Sequence, residues 1–221
     1  MWNQMWVERT AGRGLRIAGW VLGPAGLALA VGAVLVIGTR YTSAGVNSDA
    51  MDPTYSSGDL VFLERVDAGA IERGDVVLYR TGDRYEGMAV LQRVIGMGGD
   101  HVRQSPGGPV TVNGKPLAEP YVKDGDPSGM APAYDVVVPE GRLFLLGDHR
   151  ANANDSRFFL TEQSGSIAAD AVEARSLDSH TGLLMLASTA LLGLLVAAGG
   201  LTAGIVSRVR RRAVRSLPLP R

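Results

Sequence analysis

Two uninterrupted apolar stretches enclose a long segment in which short apolar runs alternate with polar turns. Residues 17–39 and residues 183–206 contain no charged side chain over 23 and 24 positions. Since a helix rises about 1.5 Å per residue, each stretch could cross a hydrocarbon core of about 30 Å. The pattern predicts two transmembrane helices. The first is longer than the apolar run of a typical signal peptide, which favours a retained anchor over a cleaved leader.

The segment between the apolar stretches has the pattern of short strands. Runs rich in Val, Leu, Phe and Tyr are separated by Gly-Asp, Pro-Gly-Gly and Asn-Gly pairs, and VNGK at 112–115 is typical of a tight hairpin. No long amphipathic helical pattern interrupts them. We predict a mostly β domain, a barrel or folded sheet between two transmembrane helices. Its predicted strand segments are 59–66, 74–80, 89–97, 101–104, 109–117, 133–140 and 142–148.

The distribution of charge indicates how the chain is oriented. Residues 1–16 hold three arginines and one glutamate, and residues 207–221 hold six arginines and no acid. The segment from Arg40 to His180 holds 13 basic and 21 acidic side chains. Basic flanks favour the cytoplasmic side of a membrane, so we expect a two-pass protein of the cell membrane. This asymmetry indicates contact with a lipid bilayer and not with nucleic acid.

We therefore divide the chain into five segments. They are a cytoplasmic N-terminus at 1–16, a first transmembrane helix at 17–39, an extracytoplasmic β domain at 40–180, a second transmembrane helix at 183–206 and a basic cytoplasmic tail at 207–221. The chain has no cysteine, which excludes disulfides, thiolate catalysis and a cysteine-ligated zinc site.

Five sequence blocks in the middle segment carry a resemblance to one family. They are SDAMDPTYSSGDLVFLERV, ERGDVVLYR, LQRVIGMGGDHV, VTVNGKPLAEPYV and FLLGDHRANANDSR. In this order the blocks resemble the type I signal peptidases, peptidase family S26, which are membrane-bound endopeptidases with a serine–lysine dyad. The resemblance implies an extracytoplasmic β fold that cuts preproteins after small residues and needs no cofactor.

The catalytic positions depart from the family pattern. The family's first block reads Ser-Met-x-Pro-Thr; Pro53 and Thr54 give the register, and the position of the nucleophilic serine holds Ala50. The position of the lysine base, directly before RVIG, holds Gln92, whose carboxamide is not a base near neutral pH. The position of the serine that hydrogen-bonds the lysine holds Ala153. The resemblance thus implies that no catalytic residue functions.

A nearby serine raises an alternative. Ser48 lies two residues before the nucleophile position, where the resemblance implies a hydroxyl that assists the oxyanion hole. If Ser48 were a displaced nucleophile, it would need a base within hydrogen-bonding reach. The candidate bases are Asp49, Asp52, His101, His149 and His180.

Other site residues are implied by the same blocks. Met51 and Tyr55 either line a substrate groove or pack against the membrane-facing side, and the residues leave both readings open. Four charged residues match the family's structural turn and salt-bridge element, and they are Arg93, Asp148, Asp155 and Arg157. Because the two aspartates are engaged in that element, we expect no metal site.

These observations give one preferred function and two alternatives. The preferred hypothesis is a catalytically inactive signal peptidase homologue that binds signal peptides of preproteins or an active signal peptidase. The first alternative is an active signal peptidase with atypical catalytic residues. The second is a structural membrane subunit whose β domain binds a partner through another face.

Overall fold

The computed structural model describes residues 2–82, 84–129, 131–177 and 179–215, with side chains for residue 17 and from 19 to 209 within those ranges. The chain forms two compact units, Met1–Thr39 with Ser179–Arg221, and Arg40–Asp178. Residues 216–221 of the predicted basic tail lie outside the described residues, as do the side chains of the tail arginines after Arg208 and of the N-terminal arginines. The predicted orientation of the two ends therefore stays a prediction.

The first unit contains two long helices. Helix α1 spans Trp2–Arg40 and helix α2 spans Thr181–Arg215. Within them, Gly19–Arg40 and Thr181–Val209 are long and apolar enough to cross a membrane, with mean hydropathies of 2.2 and 2.1. Both helices extend beyond the predicted spans 17–39 and 183–206, because helical structure continues into the basic flanks.

The two helices approach each other closely where both carry small residues. A methyl group added at Gly26 would lie 2.6 Å from the carbonyl oxygen of Gly193, and one added at Gly19 would lie 2.9 Å from that of Gly200. Ala30 is buried on the same side of α1. Lipid provides little hydrophobic drive for helices to associate, so close backbone packing of this kind stabilises the helix pair.

The second unit is mostly β, as the sequence predicts. The strands in the described part of this unit are β1 (Tyr41–Gly45), β2 (Leu60–Glu64), β3 (Val76–Tyr79), β4 (Val90–Met97), β5 (His101–Gln104), β6 (Val110–Val112), β7 (Lys115–Pro116), β8 (Tyr134–Val137), β9 (Arg142–Leu146), β10 (Ile167–Ala168) and β11 (Val172–Ser176). Short 3₁₀ turns lie at Ala68–Ala70, Tyr85–Gly87, Lys123–Gly125, Ser156–Phe158, Gln163–Gly165 and Ala169–Ala171.

The strands form two antiparallel sheets. The larger has the order β1-β2-β11-β3-β4-β9-β10 and the smaller the order β7-β6-β5-β8. The predicted hairpin at 112–115 joins β6 and β7, and Asn113 and Gly114 adopt the positive φ that such a turn requires. The mostly β fold class is confirmed. All seven predicted segments contain strands, but the sequence reading missed β1, β10 and β11.

Strands β4 and β9 pair with each other, and each contributes side chains to two core clusters. Val94 and Leu145 face one core cluster, and Ile95, Phe144 and Leu146 face another, all at 0% exposure. A strand buried on both faces has little freedom to shift its register. The side chains at the ends of β4 and β9 are therefore held on a rigid support.

Candidate active site

The loop after β1 carries the first of the implied catalytic positions. Its ends are closed by two backbone hydrogen bonds, from Val46 N–H to the Asp59 carbonyl (2.9 Å) and from Gly58 N–H to the Val46 carbonyl (2.8 Å). The Asp52–Pro53 peptide bond inside the loop is cis. The two hydrogen bonds close this polar, turn-rich segment at the end of β1.

An ion pair ties this loop to β4 and to the turn that follows β9. The Asp148 carboxylate is fully buried and accepts hydrogen bonds from Arg93 Nε at 2.8 Å and from Arg93 Nη2 at 2.5 Å. The Thr54 hydroxyl also donates to Asp148. Because the bidentate arginine and the hydroxyl satisfy a buried carboxylate, this cluster stabilises the position of the loop.

A second ion pair supports the turn after β9. Asp155 and Arg157 are both fully buried and are joined through Arg157 Nε at 2.7 Å and Nη2 at 2.8 Å. The same aspartate accepts the backbone N–H of Gly147, whose carbonyl in turn accepts Arg150 Nε at 2.9 Å. Arg150 is buried in an ion pair with Glu119. The sequence reading missed this pair because nothing local connects positions 119 and 150.

The three implied catalytic positions converge around Gly147. A methyl group at Gly147 would collide with the Ala153 side chain and would lie 2.6 Å from the Ala50 carbonyl oxygen. Gln92 Nε2 donates to the carbonyl of Asn154, the residue after Ala153. Three positions that are far apart in the sequence are thus brought to one place, and the close approach requires glycine at 147.

The Gln92 carboxamide is buried, and both of its ends are hydrogen-bonded. Its Oε1 accepts the Tyr79 hydroxyl at 2.7 Å, and its Nε2 donates to the Asn154 carbonyl at 2.8 Å. The Tyr85 hydroxyl donates to the same carbonyl at 2.9 Å. Burial raises the pKa of Tyr79 and of Tyr85, so both phenols stay protonated at neutral pH. This network contains donors and acceptors but no base.

Of the three histidines, the structure brings His149 to the loop that carries Ser48. Its backbone N–H donates to the Ala50 carbonyl, and its ring Nδ1 lies 3.1 Å from the Asp49 carbonyl oxygen. A carbonyl accepts only from a protonated nitrogen, so neutral His149 would carry its proton on Nδ1 and leave Nε2 unprotonated. Ser48 itself is exposed. His101 instead pairs with Asp135 on the smaller sheet.

Lys123 is a charged neighbour of the loop that the sequence reading did not single out. Its Nζ forms an ion pair with Asp52, and its backbone N–H donates to the Asp148 carbonyl at 3.1 Å. The hydrogen bond to Asp52 raises the pKa of Lys123. A lysine base needs the opposite shift, so Lys123 stays protonated and does not replace the missing base.

The two predicted groove residues differ in exposure. Met51 is only 2% exposed. Tyr55 is half-buried and packs against the cluster that contains Val46, Val61 and Leu63. A substrate groove formed by Met51 and Tyr55 stays a prediction. Among the residues that the structure describes, no three His, Asp or Glu side chains are grouped so that they could hold a metal ion.

Comparisons with known proteins show which family this chain is similar to. Residues 18–178 match a family model described as signal peptidase, peptidase S26. The probable signal peptidase I-2 of Synechocystis sp. (strain PCC 6803) is 33% identical over 146 residues, which are 61% of this chain and 64% of that protein. Signal peptidase I of Bacillus licheniformis is 35% identical over 121 residues, 51% of this chain and 63% of that protein.

The match to both of these curated relatives spans somewhat less than two thirds of their length. Among solved structures, a signal peptidase I from Enterococcus faecalis V583 is 26% identical. The matched region covers 48% of this chain and 95% of the chain in that structure, with a TM-score of 0.38.

Proposed function

The chain belongs to the signal peptidase family, peptidase S26, and from this membership we propose that it is a membrane-anchored homologue that binds signal peptides of preproteins without cutting them. The family supports a role at signal peptides, and the absence of cleavage is our proposal. The observation that carries it is Gln92, a buried neutral amide with both ends hydrogen-bonded at the position of the base.

Peptide hydrolysis by this family's chemistry needs a nucleophile and a base that accepts its proton. The methyl group of Ala50 has no oxygen to attack a carbonyl, and the Gln92 amide cannot take up a proton near neutral pH. Losing the nucleophile or the base of a comparable protease unit lowers kcat about 10⁶-fold, and losing both costs little more. Ala50 and Gln92 together therefore support a chain without useful peptidase activity.

The groups that would support binding of a substrate are retained. The Arg93–Asp148 and Asp155–Arg157 pairs hold the loop after β1 and the turn after β9 in place. We propose that the retained surface binds an extended signal peptide or an active signal peptidase.

The proposed location follows from the two candidate spans and the basic ends. Gly19–Arg40 and Thr181–Val209 fit a membrane by length and composition. The two terminal segments of the sequence, residues 1–16 and 207–221, are rich in arginine. We propose that the chain crosses the cell membrane twice, with both termini in the cytoplasm and the β domain on the extracytoplasmic side.

One observation favours an alternative in which the chain is an active peptidase. The His149 ring contacts the Asp49 carbonyl through Nδ1, and Ser48 is the residue directly before Asp49. In the active alternative, Ser48 is the nucleophile and His149 Nε2 is the base. Ser48 is exposed, and it lies two residues from the family's nucleophile position, so the inactive form remains our preferred proposal.

The test compares cleavage of a model preprotein by the purified full chain in detergent with cleavage by Ala50→Ser/Gln92→Lys/Ala153→Ser. We expect no product from the natural sequence and product from the triple variant, since only the dyad and its positioning hydroxyl are restored. Ala50→Ser/Ala153→Ser is the matched control. It restores both hydroxyls but no base, and it should remain inactive.

Two further readouts separate the alternatives. Cleavage by the natural sequence that is lost in both Ser48→Ala and His149→Gln would refute the inactive proposal. If the triple variant does not cut, binding of a fluorescent signal peptide by the natural chain decides the remaining question. Absence of binding would favour a structural membrane subunit over a signal-peptide receptor.

A further inference from the structure

A groove of about 310 Å³ lies between α1 and α2 at the end of the helix pair that bears the arginines. Three glycines line it: Gly19, Gly200 and Gly204. Trp20 and Arg208 stand beside them. At Gly19 and Gly200 the two helices are in close contact, whereas a methyl group added at Gly204 would meet no atom within 4 Å, so the open space beside the helix contact lies at Gly204.

The groove lies at the ends of both candidate spans. Gly19 is the first residue of one span, and Arg208 is next to the last residue of the other. If these spans cross a bilayer, the groove opens at the level of the lipid headgroups. Trp20 is 72% exposed, as expected for a tryptophan at a membrane–water boundary.

The sequence segments that precede the first candidate span and follow Ser207 are strongly basic. From Arg208 to the end, the chain carries six arginines and no acidic residue, and before Ile17 it carries three arginines against Glu8 alone. Among the residues whose side chains the structure describes, no carboxylate lines the groove beside Arg208. An anion is therefore the complementary ligand.

Ser207 adds a hydrogen-bonding group to the groove. Three hydroxyls within this helix, those of Ser188, Thr189 and Thr202, donate to a carbonyl three or four residues earlier. Ser207 is only 6% exposed, yet its hydroxyl forms no hydrogen bond with another residue that the structure describes. Because it lines the groove, its hydroxyl can donate to a ligand there.

We propose that this groove binds the headgroup of an anionic phospholipid. The phosphate lies against Arg208 and the Ser207 hydroxyl. An acyl chain follows Leu201 and Ile205, which are 67% and 53% exposed and lie on the membrane side of the groove. The bound lipid fills the gap between the two helices. This inference concerns the helix pair and is independent of whether the β domain cuts or binds signal peptides.

The experiment uses Trp20 as the reporter. In the full chain with Trp2→Phe and Trp6→Phe, Trp20 is the only tryptophan that remains. The protein is reconstituted in phosphatidylcholine vesicles that contain an equal fraction of brominated phosphatidylglycerol or of brominated phosphatidylcholine, and quenching of Trp20 is compared. An arginine-dependent preference predicts about fivefold enrichment of the anionic lipid at Trp20.

A matched pair of variants tests the groove itself. Gly204→Leu fills the groove and should reduce the preference to the level of the surrounding bilayer. Gly199→Leu makes the same change on the same helix, at a position where an added methyl group also meets no atom within 4 Å but outside the groove, and it should retain the preference. Arg208→Gln should reduce it, and Arg208→Lys should retain most of it.

Three results would overturn the proposal. The first is equal quenching by the two brominated lipids. The second is an equal response of Gly204→Leu and Gly199→Leu, which would mean that the lipid does not occupy the groove. The third is loss of the preference on adding inorganic phosphate at constant ionic strength, which would identify a site for a free anion instead of a lipid.

Discussion

Two sets of residues lie side by side in this domain and differ in what they retain. The supporting set keeps its charges, and each buried carboxylate among them is matched by an arginine, as in Arg93–Asp148 and Asp155–Arg157. The catalytic set, the residues at the three implied catalytic positions Ala50, Gln92 and Ala153, contains no group that takes up a proton near neutral pH. A buried charge persists here only where a partner compensates its desolvation.

This comparison explains why a neutral residue suits position 92. An unpaired lysine at a buried site loses hydration without a compensating charge. The Gln92 amide is instead satisfied by the Tyr79 hydroxyl and the Asn154 carbonyl. The supporting residues determine where the loop lies, and the catalytic positions have only to be filled without an unpaired polar group.

The largest expected effect comes from breaking a supporting pair. Asp155→Ala leaves the guanidinium of Arg157 buried without its partner and frees the Gly147 N–H. We expect the free energy of unfolding to fall by about 3–5 kcal/mol, measured by urea denaturation of the full chain in detergent.

The matched control for that variant is Glu173→Gln in the exposed Arg80–Glu173 pair, where the two side chains are 55% and 45% exposed. Surface pairs contribute about 1 kcal/mol or less. Equal losses from Asp155→Ala and Glu173→Gln would contradict the distinction between supporting pairs and surface pairs.

The next effect comes from returning a charge to the catalytic set. Gln92→Lys places an ammonium where Gln92 is 1% exposed, so burial lowers the pKa of the new lysine in the folded state. A depression of about two units, at about 1.4 kcal/mol each, predicts a loss of about 3 kcal/mol at pH 7. Between the folded pKa of this lysine and its unfolded pKa of about 10.4, the unfolded chain binds more protons than the folded chain. The free energy of unfolding therefore rises with pH over that range, and the lost stability returns.

Adding Ala50→Ser and Ala153→Ser to Gln92→Lys should recover part of that loss, because the two hydroxyls can accept hydrogen bonds from the ammonium. Unfolding midpoints of the single and triple variants between pH 7 and pH 10 measure both effects. A Gln92→Lys variant whose stability does not change with pH would contradict an enclosed, charge-free site.

A smaller effect is expected where the two sets meet. Gly147→Ala places a methyl group against Ala153 and the Ala50 carbonyl, and overpacking of this kind costs about 1–3 kcal/mol. Gly69→Ala is the control, because an added methyl there meets no atom within 4 Å. Thermal unfolding should separate the two variants, and a similar Tm for both would mean that the positions around Gly147 are not closely packed.

The smallest effect concerns the exposed edge of the loop. The hydrogen bond from Lys123 lowers the pKa of Asp52, so the pair stabilises the fold above the unfolded pKa of about 3.9 and loses this effect as pH falls through the folded value. Asp52→Asn should reduce the stability lost between pH 5 and pH 2, as measured by unfolding midpoints. Asp170→Asn removes another exposed carboxylate and should leave that loss unchanged.

The supporting and catalytic sets were predictable from the sequence to different degrees. The turn around VNGK, the seven strand segments and the two apolar helices follow from local patterns of side chains. Positions 50, 92 and 153 could be assigned one by one from the blocks around them. The hydrogen-bond partners of the Gln92 carboxamide could not be predicted. Tyr79 and Asn154 lie 13 and 62 residues away in the sequence, and no local sequence pattern identifies them.

The sequence by itself determined the two apolar helices, the seven strand segments, the basic ends and the residue type at each implied catalytic position. Only the tertiary structure decided that β1, β10 and β11 join the larger sheet, that Lys123 pairs with Asp52 and that a groove opens between the helices. The physical reason is the distance along the sequence over which the interactions act. Periodicity and turn residues record interactions between near neighbours, whereas the edges of a sheet, buried ion pairs and the spaces left by glycine depend on which distant segments pack together.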